Sequence, residues 1–452
     1  MKKCLATLSF LVFAGAIAHT QAIIHRDPSI EKMVMGVTAD SLKSYVHSLV
    51  GFKTRHTLST QSSPKEGIGA AQRWVLGKFQ QFSKNAGGRL SAYLDTITYQ
   101  PDGKRVNKPF ILGNVVAILK GTAAEDKRIF MMTAHLDSRR TDVMDATGVA
   151  PGANDDGSGV AAIIECVRLM SREAFPATIV FVITSGEEQG LLGAAFMAGK
   201  VAEQNWPLEA LLNNDIIGSN NSNETNIAGN TEVRVFSQGI PAKLSPEEAK
   251  EIRSFGLEND GNPRQLARYF KEVGERYVDN MTVKLIYRND RFLRGGDHSP
   301  FVEKGFAAVR ITEMNENFEH QHQDIRTENG KSYGDLPEFM DFEYLKKNAA
   351  LNLVTLANLA KAPAKPQQVH YIMKGLENST TIEWNDPGTG NYAGFYLLLR
   401  ETSSPVWQKK FFTKNKSITV PYSKDNYFFG VQAVNAEGNE SLPVIVKQSA
   451  KK

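Results

Sequence analysis

Cysteine is nearly missing from this chain: Cys4 and Cys166 are the only two among 452 residues. Once an N-terminal leader is removed, Cys166 stands alone and no disulfide within the chain can form. It falls in the apolar helical stretch Val160-Ala161-Ala162-Ile163-Ile164-Glu165-Cys166-Val167, where a small buried hydrophobe outweighs a catalytic thiol. Blocks of one charge are missing too. The 53 Lys and Arg and 49 Asp and Glu are dispersed and leave a formal charge of +4, so neither nucleic acid nor an anionic membrane surface is favoured as a partner. Long apolar runs are absent with one exception, Cys4 to Ala18, preceded by Lys2 and Lys3 and followed by a polar stretch ending at Gln21-Ala22. That run is short for a bilayer span, and the order of basic start, apolar middle and small-residue exit predicts a signal peptide over residues 1–22. An exported protein is expected, secreted or periplasmic, with no membrane span after leader removal. Without disulfides its stability must come from its core and from bound metal.

What is present is an ordinary globular composition, 41% hydrophobic and 23% charged, at a length that suits two or three domains. Residues 29–81 carry helical periodicity through Met33, Leu42, Val46, Leu49, Ala70, Trp74 and Leu76. Short runs rich in branched residues follow at 129–134, 178–184, 211–217 and 307–311, as expected of strands covered on both faces. Helical patterns at 158–170, 191–204, 262–273 and 342–359 alternate with them. This alternation predicts an α/β domain over residues 23–362, with a mostly parallel central sheet flanked by helices. The Ala/Pro/Lys stretch Lys361 to Pro366 reads as a linker, centred on residues 363–366. Beyond it, alternating segments such as Thr381-Ile382-Glu383-Trp384 and 427–435 predict a small all-β sandwich over residues 367–449. Tyr427, Phe429, Val431 and Ala433 should share one of its faces.

Side chains able to bind metal gather where the predicted strands end. His135 and Asp137 follow the first strand, Asn154-Asp155-Asp156-Gly157-Ser158-Gly159 opens a helix, and Gly186-Glu187-Glu188 follows the second strand. Asp215 lies in an apolar run, and Glu319-His320-Gln321-His322-Gln323-Asp324 comes last. In an open α/β sheet these strand ends converge on one crevice. A buried carboxylate such as Asp215 costs several kcal/mol unless paired or bound to metal, although a backbone-bonded Asp at a strand end is an equal alternative. Adjacent Glu187 and Glu188 repel unless a cation or a proton intervenes, and strand geometry points them apart, which suits one ligand and one base. Taken singly, Asp155-Asp156 is a helix cap, His135 and His320 are core histidines, and the Glu pair is a solvated turn.

The segment from about 107 to 359 resembles the M28 family of zinc metallopeptidases, which includes bacterial leucyl-type aminopeptidases. The resemblance rests on Ala134-His135-Leu136-Asp137-Ser138, Gly152 to Gly159, Gly186-Glu187-Glu188, Asn214-Asp215, Asp297-His298-Ser299-Pro300-Phe301 and the spacing of His320 to Asp324. It implies the zinc exopeptidase fold and two Zn²⁺ bridged by Asp155, one held with His135 and Asp215, the other with Glu188 and His320. His320 is preferred to His322 for its spacing to Asp324. Glu187 is implied as general base, Asp137 as hydrogen-bond partner of the far nitrogen of His135, and His298 as a group beside the pocket that either helps stabilise the transition state or merely orders the loop. Manganese or cobalt would also suit such ligands. The tail resembles a fibronectin type III domain, with Trp384 in an early strand and Tyr427 at a tyrosine corner. It leaves a surface or polymer contact open as its role.

The expected reaction is hydrolysis of peptide or protein substrates, most simply removal of N-terminal residues. Alternatives are a carboxypeptidase or dipeptidase of the same family, a one-zinc glutaminyl cyclase, and a secreted binding protein without catalysis. On this reading, removing residues after Pro366 should leave small-peptide hydrolysis largely intact. The basic residues Arg288, Arg291 and Arg294 are candidates to meet a peptide carboxylate, with a solvated basic turn as a reading of at least equal weight.

Overall fold

The computed structural model describes Ala22 and residues 24–448 apart from 374 and 389. The expected leader, Ala22 excepted, lies outside the described residues. Helices α1 (Pro28–Met35), α2 (Ala39–Val50) and α3 (Gly67–Ser83) come first, followed by β1 (Leu90–Tyr99), β2 (Phe110–Leu119) and β3 (Ile129–His135). Then come α4 (Gly157–Met170), β4 (Thr178–Thr184), α5 (Leu192–Glu203), β5 (Leu208–Asn214) and β6 (Glu232–Phe236). The remainder of this part is α6 (Pro246–Phe255), α7 (Asn262–Tyr277), β7 (Thr282–Ile286), α8 (Ser299–Glu303), β8 (Ala308–Glu313) and α9 (Phe342–Lys361).

The eight strands form one sheet in the order β1-β2-β4-β3-β5-β8-β6-β7. Its centre is parallel, because β3 pairs in parallel with both β4 and β5, and β5 with β8. The antiparallel pairs are β1 with β2, β2 with β4, and β6 with β8. Both faces of the central strands are covered: Phe130, Met132, Phe181 and Leu212 pack with α4 and α9 in the main core, while Met131, Val180, Val182 and Leu211 pack with α5. This explains why the strands are continuous apolar runs rather than alternating ones. Register sets the site. His135 at the end of β3 pairs with Thr184 at the end of β4, and Thr133 with Asn213 near the end of β5. Three strands therefore stop at the same edge, and the chain leaving each one enters the same crevice.

The C-terminal segment forms two four-stranded sheets. One contains Gln367–Ile372, Thr380–Asn385, Ser417–Val420 and Lys447–Gln448; the other contains Gly394–Glu401, Lys409–Thr413, Tyr427–Val434 and Val444–Ile445. Trp384, Phe395, Leu397, Leu399, Phe429, Val431 and Ala433 fill the space between them, and Tyr427 packs at the margin. The expected shared face of Phe429, Val431 and Ala433 is present.

The stretch before these sheets is not a free linker. Buried Arg128 donates to the carbonyls of Ala362 (2.7 Å) and Pro363 (2.9 Å). Buried charges also cross between the two parts. Asp260 meets both Arg268 of α7 (3.0 Å) and Arg400 of the C-terminal sheets (2.5 Å). Glu440 is bonded by Arg276 of α7, and Tyr269 donates to the Glu440 carbonyl at 2.7 Å. Removing the C-terminal sheets would strand these groups, and the cost of unpaired buried charge argues against the expectation that the tail is dispensable.

Candidate metal centre

Each donor is placed by a local device. His135 ends β3, and its main-chain N–H donates to the carboxylate of Asp156 at 3.1 Å. The same carboxylate caps α4 by accepting from Gly159 N (2.9 Å) and reaches Ile216 N (3.3 Å). One buried Asp thus joins the end of β3, the first turn of α4 and the turn after β5, a larger role than the helix cap its position suggests. Asp155 is aimed by Asp335, whose carboxylate accepts from the N–H groups of Asn154 (2.8 Å) and Asp155 (2.7 Å). Asp215 is the first residue after β5, and the chain turns away at Ile216 with φ 60°. A β-branched residue rarely takes that left-handed conformation, which marks a backbone held in place by its surroundings. The Glu187-Glu188 turn is held by Asp137, which accepts from Gly186 N (2.9 Å), Glu187 N (3.3 Å) and Glu188 N (3.0 Å).

These devices bring two donor groups together: His135, Asp155 and Asp215, and Asp155, Glu188 and His322, each with its ligand atoms within 4.8 Å of one another. Asp155 belongs to both. Its Oδ1 lies 3.2 Å from His135 Nε2 and its Oδ2 2.9 Å from His322 Nε2, while Glu188 Oε1 is also 2.9 Å from His322 Nε2. Asp215 Oδ1 is 3.9 Å from His135 Nε2, and its Oδ2 is held by fully buried Arg310 at 2.9 Å. The donors fit a pair of divalent cations. His135 Nε2 and Glu188 Oε1 are buried and, although Asp155 and His322 stand within 3.2 Å of them, neither makes a hydrogen bond of good geometry, as suits atoms aimed at a shared ion. Mixed imidazole and carboxylate donors suit zinc.

Electrostatics demands positive charge here. Burial alone would raise Asp155, yet His322 and His135 hold it well below the usual carboxylate range. Burial works against protonation of His322, but Glu188 and Asp155 push its pKa up to about 10. Desolvation, helped by Glu188, Asp215 and Asp297 and opposed by His135, raises Glu187 well above an ordinary Glu. Glu187 lines the open cleft with Asp155, Glu188, Asp215 and His322, a cavity of about 560 Å³. A carboxyl group with raised affinity for a proton, beside a two-cation donor set, is suited to proton transfer.

One expectation needs correction, and two others gain detail. His320 is not among the donors: its ring lies flat on Phe339, centroids 3.7 Å apart at 4°, and His322 two residues on takes the place beside Asp155 and Glu188. His322 has φ 51°, a left-handed turn that changes the direction of its side chain from that of its neighbours. Asp137 is the partner of His135 Nδ1, as expected, through two groups: its main-chain carbonyl at 3.0 Å and, at 3.7 Å, its carboxylate. The ring orientation is thereby fixed, while the same carboxylate also holds the Glu187 turn. His298 is fully buried and its Nε2 meets the Asn289 carbonyl at 2.8 Å, so it orders the 289–298 loop rather than lining the cleft. Cys166 is buried, as expected of a core thiol.

The donor geometry and the sheet define a metal-dependent hydrolase built at strand ends, and comparison with known proteins gives its family. The model of peptidase family M28 matches residues 114–336. A probable zinc metalloprotease of Leptosphaeria maculans is 41% identical over 419 residues, covering 92% of this chain and 96% of that protein. One from Pyricularia oryzae is 41% identical over 422 residues, covering 92% and 84%. Among solved structures, the Legionella pneumophila LapA aminopeptidase superposes with a TM-score of 0.53 at 17% identity, covering 79% of this chain and 77% of that one. Macrostomum lignano glutaminyl cyclase gives 0.52 at 14% identity, covering 76% and 95%, so the fold alone does not separate the two chemistries. The chain belongs to peptidase family M28. It is a zinc metallopeptidase, with two cation-binding donor groups that share Asp155.

Proposed function

We propose that this chain is an exported aminopeptidase that removes N-terminal residues from peptides, with Glu187 as general base. The observation that carries the proposal is the pair of donor groups joined through Asp155 with Glu187 in the same cleft. His135, Asp155 and Asp215 would hold one zinc, and Asp155, Glu188 and His322 the other. Bound there, the two cations supply Lewis acidity, acidifying water and polarising a carbonyl. Glu187, in the same cleft as both donor groups, takes the proton of the attacking water and returns it to the departing amine. Asp137 keeps Glu187 and Glu188 on opposite duties by fixing the turn that carries both. Ser138 and Ser158 are occupied structurally, donating to the carbonyls of Ala150 (2.7 Å) and Asn154 (2.7 Å), and are not needed as nucleophiles.

The catalytic unit is taken as residues 23–362 and the β-sandwich as 367–449, joined by 363–366, with a fibronectin type III-like sandwich as the identity of the latter. The paired sheets around Trp384 support that identity. Among the described residues no helix is long and apolar enough to cross a membrane. The basic and apolar N-terminus supports export, to the periplasm or beyond. The test is hydrolysis of free and N-acetylated versions of one peptide by the zinc-loaded chain and by Glu187→Gln. Hydrolysis confined to the free peptide, and reduced roughly 10²–10⁴-fold in Glu187→Gln with zinc retained, is expected. Equal cleavage of both peptides contradicts the N-terminal assignment, and full activity of Glu187→Gln contradicts the base.

A further inference from the structure

The wall of the cleft carries an excess of arginine that the hydrolytic step does not use. Arg105, Arg139, Arg291 and Arg294 all line the cavity that contains Asp155, Glu187, Glu188 and Asp215. Arg288, the other candidate from the sequence, is not among its lining residues and stacks its guanidinium 5.7 Å from the centre of the Phe292 ring.

Pairing within the wall leaves positive charge over. On one side, Glu316 is bonded by Arg234 and by Arg291 (3.0 Å), so that Arg294 reaches it only at 3.8 Å. Asp290 is shared in turn between Arg310 (3.2 Å) and Arg291 (3.4 Å). On the other side, Arg139 has Glu188 Oε2 at 3.9 Å, and Arg105 donates to the Glu188 carbonyl at 2.7 Å. Glu188 is a member of a metal-binding donor group, and its charge is committed to a cation. With two divalent cations set against Asp155, Glu187, Glu188 and Asp215, the floor of the cleft is close to neutral. Arg294 then faces it with only a distant share of Glu316 (3.8 Å), Arg105 with only the Glu188 carbonyl, and Arg139, which also donates to the carbonyls of Arg140 and Thr141 (3.1 Å each), with only the committed Glu188. The Arg139 side chain is only 16% exposed, and a guanidinium so enclosed is stabilised by a planar anion that accepts two hydrogen bonds.

We propose that the cleft selects substrates bearing a carboxylate close to the scissile bond, with Arg139 and Arg294 as specificity-determining residues on its two sides and Arg105 in support. The proposal rests on the peptidase assignment above and names its substrate class. The anion is either an acidic side chain or the terminal carboxylate of a very short peptide, chemically the same group on two different positions. Leu293 and Phe318, 90% and 54% exposed, also border the cavity and offer apolar surface to the stem that carries the carboxylate.

The experiment compares kcat/KM of the zinc-loaded full chain on two pairs of substrates: Leu-Ala with Leu-Ala amide, and Glu-Ala amide with Gln-Ala amide. The first pair reads the terminal carboxylate and the second the side chain. At least one pair is expected to favour the acid by about 10–100-fold, the range of a charge-assisted hydrogen bond, with the advantage carried in KM and shrinking as salt is raised. Arg139→Gln or Arg294→Gln should bring that ratio down at least tenfold, and the corresponding Lys variants should restore part of it. Ratios within threefold for both pairs, or a preference that survives both Gln substitutions, would overturn the proposal. The same pairs are measured as ligands by calorimetry on zinc-loaded Glu187→Gln. A chain that hydrolyses none of the four counts against the peptidase assignment, and the binding ratios still decide the carboxylate preference separately.

Discussion

Glu440 offers a sharp test of whether the C-terminal sheets are part of the folded core of the enzyme. It is 1% exposed and meets Arg276 of α7 and Lys410 (3.4 Å), while the side chain of Asn358 donates to it at 3.2 Å. Burial would raise its pKa, but Arg276 and Lys410 overcome that and hold it at about 2, against 4.5 for a free Glu. The depressed value means that stabilisation is fully present above pH 4.5 and is lost as pH falls through about 2. At 1.36 kcal/mol per pKa unit, the shift corresponds to about 3 kcal/mol at neutral pH. The cost of breaking a buried pair, about 3–5 kcal/mol, agrees. Glu440→Gln should therefore lose about 3 kcal/mol in urea unfolding at pH 7, a large part of the ~5–15 kcal/mol that holds a domain folded. The difference from the native chain should shrink to roughly half at pH 3, where the native carboxylate is partly protonated in the folded state and almost fully so in the unfolded one. A loss below about 0.5 kcal/mol at pH 7, or one that does not fall with pH, would refute the argument.

Removing residues after Pro366 should deprive Asp260, Arg268, Arg276 and Tyr269 of their partners. The shortened chain is expected to be insoluble or to melt well below the full chain in circular dichroism, and a soluble, fully active fragment would contradict this. Zinc loading should release protons, because in the cation-free cluster His322 is raised to about 10 and His135 well above its ordinary value. A pKa near 10 keeps the His322 ring protonated at pH 7, and His135 is pushed in the same direction, so affinity rises with pH and protons leave as both zincs bind. Calorimetry in buffers of different ionisation enthalpy measures this, and His322→Ala should cut the release by about one.

Much of this architecture is legible in the residues themselves. The runs at 129–134 and 178–184 are β3 and β4 almost to the residue, because strands buried on both faces admit little but branched and aromatic side chains. Asp215 stands out by the cost of a carboxylate in an apolar run, and the same cost in Val309-Arg310-Ile311 marks Arg310, which is fully buried against Asp215. The choice between His320 and His322 was not open to spacing. Both lie outside named helices and strands, and their directions depend on a left-handed turn at His322 and on Phe339, distant in sequence, offering a face to His320. The role of Asp335 in aiming Asp155, and the ion pairs between α7 and the C-terminal sheets, depend likewise on contacts across the fold that local pattern does not encode.

The account turns on two cations sharing Asp155, and zinc counting tests it most directly. Elemental analysis of the purified, zinc-loaded chain and of single variants should give two zincs per native chain, two in His320→Ala, at most one in His322→Ala, and none held tightly in Asp155→Asn. A single zinc in the native chain, or loss of zinc from His320→Ala with His322→Ala unaffected, would contradict it.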